Sequence, residues 1–148
     1  MASVVSIHRV TEKGAPAILL QTAHFSADFG LDCDWRSRKG RGRQITLIEE
    51  EALDRVASAL KLGQVPPGAS RRQVVVRGIR LNETIGKRLR VGPLLIDVHA
   101  FCEPCSVMET TIGRGAKDAL KDCGGICGKV LEGGELRPGD NVSQVEGF

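Results

Sequence analysis

The chain has no tyrosine, one tryptophan and four phenylalanines, so aromatic residues make up only 3% of it. Few rings are left on which the bases of a single-stranded nucleic acid could stack, and nucleic acid is not an expected partner. No apolar run approaches the roughly 20 residues that a membrane-crossing helix needs. The opening Met-Ala-Ser-Val-Val carries no basic segment leading into a signal-type apolar stretch. The expectation is a cytoplasmic protein without membrane attachment. A strong charge excess is also missing: 21 Lys and Arg face 18 Asp and Glu, a net charge of +3. The three histidines, His8, His24 and His99, stand apart in strand-like segments and suit structural roles better than a catalytic cluster. Only His99, three residues before Cys102, lies near a candidate site in sequence.

What remains is the balance of an ordinary globular chain, 41% hydrophobic and 26% charged over 148 residues. That length suffices for a core without staples, and residues 1–148 read as one domain. Val4–Val10 alternates as a strand, Lys13-Gly14 marks a turn, and Ala17–Phe25 reads as the returning strand. Residues 28–43 have charges and glycines but no period, which predicts a loop. Ile45–Ile48 reads as a short buried strand. Glu49–Leu60 is the clearest helix, with Leu53, Val56, Ala57 and Leu60 on one face and glutamates at its positive end.

Further along, Pro66-Pro67-Gly68 predicts a rigid loop, Arg72–Arg77 a strand, and Leu81–Ile85 a helical turn. Lys87–Val91 and Leu94–Phe101 form a hairpin about Gly92-Pro93. Short helices follow at about 103–112 and 115–121, then strands at Ile126–Leu131 and Asn141–Val145. Many short strands with few helices predict a mainly β (α+β) fold, a closed or nearly closed β-barrel.

Five cysteines, at 33, 102, 105, 123 and 127, are an odd number and argue for reduced thiols rather than a disulfide framework. Cys102-Glu103-Pro104-Cys105 sits where a strand hands over to a helix. With Pro104 at the first helical position, Cys105 would lie in the first turn, where backbone N–H groups favour the thiolate. Other readings compete. The cysteines can be small buried hydrophobes. Cys102, Cys105, Cys123 and Cys127 also follow a C-x2-C-x17-C-x3-C spacing suited to structural zinc. A thioredoxin-type pair would need a βαβ context that the hairpins do not supply. The arginines and lysine at 36, 38, 39, 41 and 43 form either a solvated surface loop or a lid over a ligand, and Arg71, Arg72 and Arg77 form a second basic group.

Four segments in order resemble the MOSC domain, a family named for the C-terminus of molybdenum-cofactor sulfurases. They are Phe29-Gly30-Leu31-Asp32-Cys33-Asp34, Arg71-Arg72-Gln73 through Arg77-Gly78-Ile79-Arg80-Leu81, Cys102-Glu103-Pro104-Cys105, and Val130–Asp140. The resemblance implies a β-barrel with short helices that binds molybdenum cofactor (molybdopterin). Cys105 matches the family's Pro-Cys cysteine, implied to ligate molybdenum or to carry a persulfide. Arg71, Arg72, Gln73, Arg77 and Asp34 are the implied cofactor-binding residues, the arginines being suited to the pterin's phosphate. A free-standing domain of this kind would need an external partner, either a sulfur donor such as a cysteine desulfurase or an electron donor. Two departures stand out. Cys33 replaces a common glycine, where positive φ is at stake, and Gln73 replaces a common asparagine. The alternative function is a zinc-stabilised four-cysteine domain, or a basic binding adaptor.

Overall fold

A computed structural model describes residues 2–104 and 106–145. The strands are β1 (Ser3–Arg9), β2 (Ile18–Leu20), β3 (Ala23–Ser26), β4 (Gly30–Leu31), β5 (Ile45–Glu49), β6 (Val74–Arg77), β7 (Arg88–Val91), β8 (Leu94–Phe101), β9 (Ile126–Glu132), β10 (Gly134–Leu136) and β11 (Val142–Gln144). Three helices, α1 (Glu50–Ala59), α2 (Val107–Thr111) and α3 (Ala116–Ala119), and 3-10 turns at Pro67–Ser70 and Leu81–Thr84 complete the described chain. The fold is mainly β with a few short helices, as the turn-rich sequence predicts.

The strands form two open sheets rather than a closed barrel. The larger has the order β11-β7-β8-β9-β5-β6-β1-β2, and the smaller β10-β3-β4. An isolated bridge, Ser3 to Asn141, and the bond from Val4 N–H to the Asp140 carbonyl draw β1 towards β11, but no continuous ladder joins them among the described residues. The predicted strand over Ala17–Phe25 is broken for a related reason. Ile18 and Leu19 are exposed on β2, which pairs with β1, whereas Ala23 and Phe25 are buried on β3, which pairs with β4 and β10. The chain changes sheets at Gln21-Thr22, so its two apolar runs face different surroundings.

Between the sheets lies a core that includes Phe25, Leu31, Ile45, Leu47, Val74, Val76 and Ile96. The other face of β5 and β6 offers Ile48 and Val75 to α1 and to Met108, Ala116 and Leu120 from the short helices. Side chains alternate along a strand, so these two are buried on both faces, which accounts for their uninterrupted β-branched and leucine runs. Among the described residues β5 and β6 are the one parallel pair, Leu47 opposite Val74, with α1 in the crossover.

Candidate functional site

Thr46 lies two residues before Ile48 and Gln73 two before Val75, so both side chains point to the face that the helices cover further along. Here the helices no longer reach. The ladder is carried one step beyond the strand by side chains: Thr46 N–H donates to Gln73 Oε1 at 3.0 Å, and Gln73 N–H to Thr46 Oγ1 at 2.9 Å. Gln73 thus keeps an amide function in place of asparagine, and its side chain is spent on the sheet.

Above this floor is a cleft of about 280 Å³ lined by Trp35, Arg36, Arg41, Arg43, Gln44, Thr46 and Gln73. A second hollow of about 200 Å³ shares Trp35, Arg36 and Arg43 with it and adds Lys13, Arg71, Arg72 and Val107. The basic loop over 36–43 is therefore a wall of the cleft rather than a merely solvated segment. It rests partly on His99, whose ring would lie 3.7 Å from a Cβ placed on Gly42.

Asp34 organises the wall. Its carboxylate is buried and receives the Val10 N–H at 3.0 Å and the Arg36 N–H at 2.9 Å. The guanidinium of Arg36 grips it with two further bonds, Nε to Oδ1 at 2.9 Å and Nη2 to Oδ2 at 2.8 Å. Burial alone would raise the Asp34 pKa, but these donors overcome it and hold the carboxyl below its ordinary value. Asp34 is thus a positioning residue for Arg36, which also reaches the Arg71 carbonyl at 2.6 Å. Cys33 precedes it with φ +64°, so the left-handed geometry associated with glycine persists, with the cysteine exposed.

Arg72 is buried, and its guanidinium is directed at the main chain. Nε donates to the Gly124 carbonyl at 2.7 Å, and Nη2 to the carbonyls of Cys102 at 3.3 Å and Glu103 at 2.8 Å. It thereby fastens the Cys102–Pro104 segment beside the start of β6. Arg71, with φ +64°, is half-buried and lines the second hollow. Arg77 is not brought to the cleft: it is exposed at the far end of β6, about 13 Å along the strand from Gln73, and pairs with Glu50 at 3.8 Å.

Cys105 lies outside the described residues. The described chain on either side departs from the sequence expectation, because α2 begins at Val107 and not at Pro104. Pro104 packs instead on Gly124, where a Cβ would come within 2.6 Å of the Cys102 carbonyl and 3.1 Å of the proline ring. Proline here completes a tight exit from β8, and the five-residue α2 begins after it. The four-cysteine arrangement also receives no support from the described residues. Cys123 packs with the helix layer and donates to the Ala119 carbonyl at 3.7 Å. Among the described residues no group of three or more His, Cys, Asp or Glu is placed to hold a metal ion.

Cys102 and Cys127, which the sequence separates by a helical insertion, do meet. Cys127 pairs across the sheet with Thr46 on one side and Ala100 on the other. Its thiol neighbours that of Cys102, and that neighbour, aided by Arg72, Arg43 and Arg36, lowers the Cys102 pKa to about 6 against the opposing effect of burial. The same arginines that border the cleft thus also act on the cysteine segment. Trp35, 42% exposed and lining both hollows, is a further candidate binding residue absent from the sequence reading. Its only signal was that it is the one tryptophan and falls within the basic loop.

The MOSC domain profile matches residues 23–143. The chain belongs to the MOSC domain family. Its fold is similar to that of YuaD from Bacillus subtilis, at a TM-score of 0.79 and 16% identity over 96% of this chain and 94% of that one. YiiM from Geobacillus stearothermophilus gives a TM-score of 0.77 at 16% identity over 99% and 76%. YiiM from Escherichia coli gives 0.73 at 16% over 100% and 71%. No curated protein matches the chain. At these identities the structural likeness establishes the fold alone. No described helix of this MOSC domain is long and apolar enough to cross a membrane.

Proposed function

We propose that this MOSC domain binds a molybdenum–pterin cofactor in the basic cleft, with Cys105 as the thiolate that ligates molybdenum or carries sulfur. The observation that carries the reading is the convergence of Arg36, Arg41 and Arg43 with Trp35 above Thr46 and Gln73, the latter following Arg72, which holds the Cys102 and Glu103 carbonyls. The donor set suits such a group. The side chains of Arg41 and Arg43 make no hydrogen bond or ion pair among the described residues, so their guanidiniums are available for a phosphate. Trp35 offers a flat apolar face for a planar ring. Cys105 is tethered through Pro104 to a turn that Arg72 fixes by three backbone contacts.

When bound, the cofactor supplies oxygen- or sulfur-transfer chemistry at its metal. The chain's own part is recognition: arginines neutralise the anionic end, the tryptophan face excludes water from the ring, and the cysteine segment presents sulfur. A thiolate in either role must be deprotonated and reachable. Turnover would draw on an external sulfur donor, such as a cysteine desulfurase, or on an external electron donor.

The test is loading of the purified chain with molybdenum cofactor released from a molybdoenzyme. Metal analysis reads bound molybdenum, and fluorescence of the oxidised pterin reads the organic part. The wild-type chain is expected to retain both. Cys105→Ser should lose molybdenum while keeping its circular dichroism spectrum, and Arg41→Ala with Arg43→Ala should weaken pterin retention roughly tenfold or more. Equal loading by Cys105→Ser, or tightly held zinc in place of molybdenum, would overturn the reading.

A further inference from the structure

The two hollows of the cleft are not equivalent. Of the pair, only the second is lined by Val107, which follows Cys105 by two residues, and by Arg72, which holds the carbonyls of Cys102 and Glu103. Arg41 and the floor of Thr46 and Gln73 border the first and not the second. Lys13 and Arg71 border the second and not the first. Trp35, Arg36 and Arg43 border both, so a group bound in one hollow lies beside whatever occupies the other.

The walls of the second hollow are fastened to one another. The turn Pro67–Ser70 leads into Arg71, whose carbonyl accepts from Arg36 Nη1 at 2.6 Å. Thr111 Oγ1 donates to the Ala69 carbonyl at 2.6 Å, which ties α2, and Val107 at its start, to the same turn. The charge of this hollow is of one sign: five basic side chains line it, with no acid among them. Arg36 is committed to Asp34 and Arg72 to main-chain carbonyls. The side chains of Lys13, Arg43 and Arg71, by contrast, make no hydrogen bond or ion pair among the described residues. Trp35 and Val107, two exposed large hydrophobic residues, supply the apolar part.

We propose, on the reading that the cofactor takes the first cleft, that the second hollow is the substrate subsite and takes a small organic anion with a flat apolar body, of the aromatic carboxylate class. Arg71 and Lys13 meet the carboxylate, the guanidinium offering paired donors to its two oxygens. Trp35 and Val107 cover the ring. A space of about 200 Å³ admits one ring and its carboxylate and is smaller than the clefts that hold drug-sized ligands. A cationic molecule would meet five positive side chains and no counter-charge, so the hollow selects by repulsion as well as by attraction.

Trp35 is the one tryptophan of the chain, so its fluorescence reads occupancy of the hollow without interference. The experiment titrates the full, cofactor-free chain with benzoate and with neutral benzamide, and measures pterin loading separately. Benzoate should quench saturably, and benzamide should bind roughly tenfold more weakly or worse. Arg71→Gln should weaken benzoate by a similar factor. Lys13→Gln and Val107→Asp, both at exposed positions, should weaken it too while leaving pterin loading as in the wild-type chain. They decide the matter if the Arg71 variant does not fold. Arg41→Ala, at the first cleft, should leave benzoate affinity within roughly twofold. Benzamide binding as tightly as benzoate, or equal loss of benzoate from Arg41→Ala and Arg71→Gln, would overturn the proposal. Pterin loading without benzoate binding would overturn the anion subsite alone, and benzoate binding without loading would sink the cofactor reading and leave the anion site standing.

Discussion

Asp34 is a case of one side chain setting the pose of another. Its carboxylate lies below the surface, and the guanidinium it holds forms part of the cleft wall. The folded pKa is below the ordinary 3.8, so the unfolded chain takes up this proton first as the solution is acidified. The stabilisation is fully present above that value and is lost as pH falls through the lower folded one. Asp34→Asn should cost about 3 kcal/mol near neutral pH, as expected for a buried pair stripped of one partner. In urea denaturation across pH, the gap between variant and wild type should narrow below about pH 4. A gap that stayed constant would remove the charge from the account. Sequence gave Asp34 as a site residue only by resemblance, since nothing in Asp34-Trp35-Arg36 announces a bidentate grip two residues apart. Arg72 illustrates the converse: two adjacent arginines look alike in sequence, yet burial commits one of them to main-chain carbonyls.

At the scale of elements, patterns governed by local chemistry were legible. The amphipathic face of α1 and the hairpin about Gly92-Pro93 occur as read, because each is set by near neighbours in the chain. Contacts that depend on distant partners were not legible. The break between β2 and β3 reflects a change of sheet, and α2 starts late because Pro104 is held against Gly124. The approach of Cys127 to Cys102 depends on the register of β8 and β9, which has irregularities between Leu95 and Ile96 and between Val98 and Ala100. The start of β9 is the tightest part of this arrangement. Gly125 has φ +100°, and a Cβ there would run into the Leu47 carbonyl of β5. Gly125→Ala should destabilise the protein by about 3 kcal/mol, combining backbone strain with steric displacement. A thermal midpoint within a degree or so of wild type would show that β5 and β9 can part at that point.

Across the whole molecule, stability should be graded from the sheets to the helix layer. β8 and β9 span eight and seven residues, whereas α2 and α3 have five and four and no side-chain caps. Local opening of such short helices costs less than opening the sheet. Hydrogen exchange should find the amides of Ile112 and Leu120, bonded to Met108 and Ala116, roughly a hundredfold less protected than the ladder amides of Ile96 and Val98. Equal protection would mean that layer and sheet unfold as one unit. The mainly β character was legible from turn spacing, but closure was not, because a strand list does not say whether β1 and β11 complete a ladder.

The left-handed cysteine before Asp34 bears on how the other thiols are studied. Cys33 is exposed and occupies a backbone conformation that glycine adopts without strain. In air-exposed preparations it is, among the described cysteines, the sulfur most open to crosslinking between molecules, and such dimers would be counted with any internal disulfide. Cys33→Gly removes that sulfur while preserving the turn that presents Asp34 to Arg36, which makes it the natural parent chain for labelling Cys102, Cys105 and Cys127.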